Sequence, residues 1–181
     1  MDKHFRFSAI LLAISFSMLS FTTSISASER KINMNQHWKF YHGCIANAEQ
    51  PSFNDSGWRV LDIPHDWSVE PLPVQREGIT IGPFSRMSIG GPDTGQTVGG
   101  EGWYRKELIL QPGDTDKILS LYFEGAYNQT EVWINGQKAC FNAYGYIPFR
   151  IDINKYCNAP GIPNTIAVKV INEGLNSRWY A

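Results

Sequence analysis

No excess of charge of one sign marks this sequence of 181 residues: 16 Lys and Arg face 17 Asp and Glu, for a formal net charge of −1. That balance excludes the basic face of a nucleic-acid binder and the polybasic stretch of a membrane-surface module. Cysteine is scarce, with 3 in all, Cys44, Cys140 and Cys157. An odd number cannot pair fully within one chain, and none of the spacings is a metal-type CxxC. One disulfide is compatible with an oxidising compartment, but at least two of the three read as small apolar core residues. A phosphate-cradling GxGxxG, a Walker loop and a GxSxG nucleophile elbow are all missing, which removes the common nucleotide and acyl-transfer signatures. No internal repeat is visible. The chain also falls short of the roughly 250 residues that a (β/α)₈ barrel needs, so it cannot hold that fold.

What is present begins with a leader. Lys3, His4 and Arg6 give a basic start, an apolar run extends from Phe7 to Phe21, and the small residues Ser24, Ser26 and Ala27 follow. The run is shorter than the ~20 apolar residues of a membrane helix, and its flanks fit a secretory signal at residues 1–27. An uncleaved anchor is the alternative. Cleavage near Ala27 would release a domain of residues 28–181, with a periplasmic or secreted location and no membrane partner. A domain of that size buries about 68–70% of its unfolded surface, enough for one core.

Strand patterning dominates the rest. Leu119, Leu121 and Phe123 alternate with polar neighbours, as do Ile166, Val168 and Val170, and Phe149, Ile151 and Ile153. Tyr104, Leu108 and Leu110 share a side of another extended run, and Trp38–Phe40 and Arg59–Ile63 add two weaker strands. Apolar residues at every second position mark strands with one face inward. Asn135-Gly136 sits between two such runs, and both residues tolerate the positive φ of a type I′ hairpin turn. A short turn near Asp152–Tyr156 is the sole helix candidate. Many short strands with regular turns predict an all-β sandwich with Greek-key or jelly-roll wiring. The Gly-rich stretch 78–100 breaks the rhythm and predicts a long mobile loop, either disordered or packed against something outside this chain.

Chemistry-bearing residues are sparse in pattern. Asp66, Glu70, Glu77, Asp93, Glu101, Glu124 and Glu131 are carboxylates available for acid–base work. Glycoside cleavage needs two of them, ~5–9.5 Å apart across a sugar, and no spacing singles out a pair. Glu131 reads as part of a solvated strand face. His37, His42 and Cys44 lie close in sequence without a zinc spacing. No catalytic residue, metal or cofactor is therefore assigned. His65-Asp66 between Pro64 and Trp67 reads as a rigid loop, since Pro64 fixes φ. Aromatics make up 13% of the chain. Sugar rings show an apolar C–H face and a polar rim, which Tyr and Trp complement. Trp38 and Trp133 look most like core by their alternation; Trp67, Tyr127 and Trp179 look least like it.

Four stretches carry a resemblance. They are Ile63-Pro64-His65-Asp66-Trp67-Ser68-Val69-Glu70; Gly102-Trp103-Tyr104-Arg105-Lys106; Phe123-Glu124-Gly125-Ala126-Tyr127 running on to Glu131-Val132-Trp133-Ile134-Asn135-Gly136; and Asn176-Ser177-Arg178-Trp179-Tyr180. With Tyr144-Gly145-Tyr146 between the last two, the chain from about Ile32 to Ala181 resembles the N-terminal sugar-binding domain of glycoside hydrolase family 2, of the bacterial β-galactosidase kind. The resemblance implies a jelly-roll, galactose-binding-like β-sandwich that lends loops to the rim of a sugar pocket. It implies that the acid/base and nucleophile glutamates lie in a separate barrel, so this chain alone is expected to be inactive. The matching loop positions are Asp66, Trp67, Tyr127, Asn128, Arg178 and Trp179, with a β-linked glycoside and the downstream domains as partners. In the family the RWY segment continues into a further sandwich strand. The expectation is therefore a truncated chain, one strand short of its sheet. A free-standing carbohydrate-binding module and a non-carbohydrate interaction domain are the competing readings.

Overall fold

Alternation along the longest apolar runs produces the two strands at the centre of the sheet. In the computed structural model, which describes residues 29–88 and 91–172, β5 (Gly100–Ile109) and β10 (Pro163–Asn172) pair antiparallel over ten residues. Around them lie β1 (Trp38–His42), β2 (Arg59–Leu61), β7 (Thr130–Ile134) and β8 (Gln137–Asn142), completing a six-stranded sheet in the order β2-β1-β5-β10-β7-β8. A second layer pairs β6 (Ser120–Phe123) with β9 (Phe149–Asp152). No α-helix occurs among the described residues; short 3₁₀ turns, including Asn154–Tyr156, fill some connections. The all-β sandwich expected from the sequence is the fold observed.

The period of two decides what lies between the layers. Trp38 and Phe40 of β1, Tyr104 of β5, Val132 and Ile134 of β7, and Ile166, Val168 and Val170 of β10 all enter one buried cluster. Leu121 and Ile151 from the two-stranded layer join it, with Ile153 just beyond β9. Phe123 and Phe149, cross-strand partners, stack at 4.7 Å. Each fully buried Val, Ile or Leu contributes about 1.5–3 kcal/mol, so the cluster is the main stabilising term. The turn after β7 is the one read from Asn135-Gly136: φ is +51° and +78°, the pair of positive values that a type I′ turn requires. Asn135 also donates through Nδ2 to the fully buried Asn164 at 2.8 Å.

The opposite face of the large sheet carries a smaller cluster built from Ala48, Trp103 and Ala167, with Phe53, Trp58 and Trp133 against it. Here the segment 43–58 is held by one buried cation. Arg105, 3% exposed, donates to Asp55 Oδ2 at 2.8 Å, to the Gln50 carbonyl at 3.1 Å and to the Ala48 carbonyl. Lys39 donates to the other Asp55 oxygen at 2.6 Å. Glu131 is not a plain solvated residue: it is half-buried between Lys138 and Lys169. Burial would raise both carboxyl pKa values. For Asp55 the hydrogen bonds and charges of Lys39 and Arg105 outweigh it and hold the group below its ordinary value. Lys138 and Lys169 do the same for Glu131.

These depressed values have a consequence for acid stability. In the unfolded chain both groups return to ordinary carboxylate values, near about 4. A depressed folded value makes the stabilisation complete above the unfolded pKa, and it is lost as pH falls through the folded one. Urea melts should therefore show the midpoint falling as pH drops from about 5 to about 3. A midpoint that stays level across that range would rule these ion pairs out as stabilising.

Two expectations are corrected. The Gly-rich stretch is not structureless, because its described part folds on itself. β3 (Thr80–Ile81) and β4 (Phe84–Ser85) form a small hairpin. Local hydrogen bonds tie it down, from Leu72 N to Gly82 O, from Arg76 N to Thr80 Oγ1 and from Ser85 N to Gln96 O. It leaves Ile81 and Met87 exposed. Trp67, expected to stand off the core, is 9% exposed and belongs to the main cluster. The cysteines behave as read: all three are free, and Cys140 and Cys157 pack on the core.

Candidate functional site

The register of the large sheet brings several loops to one end. Gly102 pairs with His42 and Val170, and Gly100 with Asn172; Thr130 pairs with Asn142. The turn 124–129 and the loop 143–148 arise at this end, while the loop 62–70 leaves β2 beside Trp38 at the other end and runs back until Trp67 meets Gly99 and Gly102.

Asp66 starts the first loop's 3₁₀ turn (Trp67–Val69). Its Oδ1 accepts from Ser68 N at 2.8 Å and from Ser68 Oγ at 2.6 Å, an N-cap. The carboxylate is exposed, so capping fixes it while leaving it in contact with solvent. Trp67 follows and turns inward. Its indole lies over Gly102, where an added Cβ would come within 2.6 Å of the ring. Only a glycine leaves room for the indole at this point on β5. The ring stacks beside Phe40 at 6.0 Å, and its Nε1 donates to the Gly99 carbonyl at 3.3 Å.

Behind this loop lies a group that spacing did not reveal. The His65 side chain, 9% exposed, places Nδ1 at 2.8 Å from the Tyr104 hydroxyl and Nε2 at 3.1 Å from Glu70 Oε1. Arg59 Nη2 donates to both Glu70 oxygens at 2.9 Å. Burial, with the charges of Asp66 and Glu70, pushes the Tyr104 phenol far above its ordinary value, so it stays a donor. His65 Nε2 also lies 3.1 Å from Arg59 Nη2, so the phenol, the imidazole, the guanidinium and the carboxylate form one hydrogen-bonded network. For Glu70, burial acts upward, but hydrogen bonds from Arg59 and His65 outweigh it and keep the carboxyl below its ordinary value. The network locks the loop; it does not leave a free base.

The second part is tyrosine-rich. Tyr127 is half-buried and its ring packs on Gly145, where an added Cβ would meet Tyr127 Cδ2 at 2.2 Å. Tyr146 lies 5.1 Å from it, centroid to centroid. Burial and the Tyr146 hydroxyl push the Tyr127 phenol up. Tyr144 and Tyr146 are 70% and 67% exposed. The Tyr144-Gly145-Tyr146 motif belongs to the resemblance drawn from the sequence, but neither tyrosine was counted among the site residues. Asn128 is 8% exposed and its carbonyl accepts from Ile171 N at 3.1 Å, carrying the pairing with β10 on past the start of β7. Arg178 and Trp179 lie outside the described residues.

Along this end of the sheet Asp66 and Trp67 lie on the β1–β5 side and Tyr127 and Asn128 on the β10–β7 side, with Tyr144 and Tyr146 as exposed rings beside Tyr127. Three of its carboxylates hold structural partners: Asp66 caps a turn, Glu70 holds Arg59, and Glu101 accepts from the Trp103 indole. Glu124 is exposed at the end of β6. Among the described residues, no group of three or more His, Cys, Asp or Glu is placed to hold a metal ion. The arrangement offers apolar ring faces beside fixed hydrogen-bonding groups, the chemistry of saccharide contact.

Comparison with known proteins agrees in sequence and in shape. The profile described as glycosyl hydrolases family 2, sugar binding domain, matches residues 34–179. The β-galactosidase BoGH2A of Bacteroides ovatus is 38% identical over 161 residues, covering 88% of this chain and 18% of that protein. A putative β-glucuronidase of Formosa agariphila is 37% identical over 156 residues, covering 85% of this chain and 14% of that one. A solved glycosyl hydrolase family 2 member from Bacteroides cellulosilyticus superposes with a TM-score of 0.73 at 38% identity, over 81% of this chain and 18% of that one. The chain therefore spans less than a fifth of the length of these relatives.

Proposed function

The chain belongs to the sugar binding domain of glycosyl hydrolases family 2, and from that premise we propose a non-catalytic part in an exported β-galactosidase-like hydrolase. In this reading its loops form part of the rim of a sugar pocket, and the acid/base and nucleophile groups come from another domain. Asp66 and Asn128 serve sugar hydroxyls, and Tyr127 with the exposed Tyr144 and Tyr146 offers ring faces. Trp67 acts from beneath, by fixing the loop that carries Asp66. A β-linked glycoside is the ligand class. The leader at residues 1–27 supports a periplasmic or secreted location.

The observation that carries the reading is that the capped Asp66 loop, on the β1–β5 side, and the tyrosine loop, on the β10–β7 side, line the same end of the sheet, where Asp66, Glu70 and Glu101 are committed to structural bonds. Cleaving a glycoside needs two opposed carboxyl groups, on the order of 5–9.5 Å apart. The test is hydrolysis of aryl β-galactoside and aryl β-glucuronide by the purified full chain. No turnover is expected with either. Turnover that stays with the chain through successive purification steps would overturn the non-catalytic assignment.

A further inference from the structure

Beside the β2–β1 edge of the large sheet is a cleft of about 320 Å³ that the tyrosine loop does not line. Tyr41, His42, Trp58 and Trp67 contribute rings to it, and Arg59 and Glu70 contribute charge. The Tyr41 and Trp58 rings stack at 5.5 Å with 25° between planes. Trp58 is steadied by Phe53, edge-on at 5.5 Å, and Tyr41 is 37% exposed. The Arg59 and Glu70 side chains are 52% and 37% exposed while holding one another at 2.9 Å.

Three properties point to a ligand class. The volume lies at the lower end of small-molecule sites, on the order of 300–1,000 Å³, which suits one or two sugar rings. Stacked aromatic rings accept the C–H face of a pyranose, and an ion pair beside them supplies both donors and acceptors for hydroxyls. The Arg59 and Glu70 charges of the cleft also cancel one another. Arg59 is already balanced by Glu70, so a uronate carboxylate entering here would face the Glu70 charge without a free cation to meet it. The place is separate from the tyrosine loop: β5 and β10 lie between β1 and β7, and three strand spacings amount to about 14 Å.

We propose that this cleft is a second saccharide subsite, belonging to the domain itself, that takes a neutral hexopyranoside and rejects a uronate. It rests on the carbohydrate reading above and shares Trp67 and Glu70 with the loop that carries Asp66, but it needs no contribution from Tyr127, Tyr144 or Tyr146.

The test is fluorine NMR of the full chain carrying 5-fluorotryptophan or 3-fluorotyrosine, with methyl β-D-galactopyranoside and methyl β-D-glucuronide as probes. The Trp58 and Tyr41 lines should shift saturably with the galactoside at millimolar concentration and stay still with the glucuronide. Tyr41→Ala and Arg59→Gln should each weaken galactoside binding by about tenfold or more. Should Tyr41→Ala lose its line dispersion, Tyr41→Leu, which keeps bulk but no ring face, decides together with Arg59→Gln, whose unliganded Trp67 line reports whether the loop held through Glu70 has stayed in place. Movement of the Tyr144 and Tyr146 lines with a static Trp58 line would overturn the subsite and leave the rim reading standing. If no line moves, the subsite falls, and the rim reading is judged by its own hydrolysis assay. Equal binding of both probes would overturn the neutral preference, as would unchanged binding in both variants for the site itself.

Discussion

Arg105→Met should lower the unfolding free energy by about 3–5 kcal/mol, the loss expected when one partner is removed from a buried ion pair. The substitution roughly conserves the apolar stem, so lost packing contributes little. What disappears is a fork of donors. Asp55 keeps Lys39, but the Ala48 and Gln50 carbonyls lose the guanidinium that satisfies them. An unsatisfied buried acceptor costs about 1–3 kcal/mol on its own. The segment 43–58 should loosen first, since it is tied to β5 through this residue. Arg105→Lys should recover only part of the loss, because an ammonium is a point donor and cannot reach three acceptors in a plane. Urea midpoints for the two variants measure both effects. A loss below about 1 kcal/mol for Arg105→Met would show that the apolar contacts of Phe53 and Trp58 hold the segment without the fork.

Trp67→Ala should cost about 3–5 kcal/mol, as for other large aromatic truncations in a core. The cavity would open between Phe40, Tyr104 and the bare backbone of Gly102, and the Asp66 cap would lose the residue that anchors its turn. Gly102→Ala attacks the same contact from the other side. Its methyl would sit 2.6 Å from the indole, and overpacking of this kind costs about 1–3 kcal/mol. The double variant should be less destabilised than the sum of the two, because the new methyl enters space that the indole has left. Strict additivity in chemical denaturation would mean that the glycine is there for another reason.

Those two sites show what could be read in advance and what could not. Alternation announced β5, β6, β9 and β10, because a strand buried on one face writes its period directly into the chain. The Asn135-Gly136 turn was equally plain, since few residue pairs accept two positive φ values. The β3–β4 hairpin left no such trace: strands of two residues are too short to show a period. Trp67 was misjudged because its burial depends on a side chain that is missing at Gly102, 35 positions away. The His65–Glu70–Arg59 network was hidden for a related reason. Its meaning depends on Tyr104, which reaches His65 only once β1 and β5 are paired. Asp66 was legible as a fixed loop carboxylate, whereas the burial of Asn128 beside Ile171 follows from strand order that no local pattern records.

Among the described residues, two strands cover about 10 Å of width at the usual spacing, against about 29 Å for the six strands they face. The remainder of that inner surface needs another roof, and over β1 and β5 the indole of Trp67 serves as one of its tiles. Evolution or engineering that reshapes this loop would therefore expose the interior as it did so. Under the rim reading proposed above, changes at the Asp66 corner should arrive together with compensating changes beneath it, while the exposed tyrosine corner is freer to diversify.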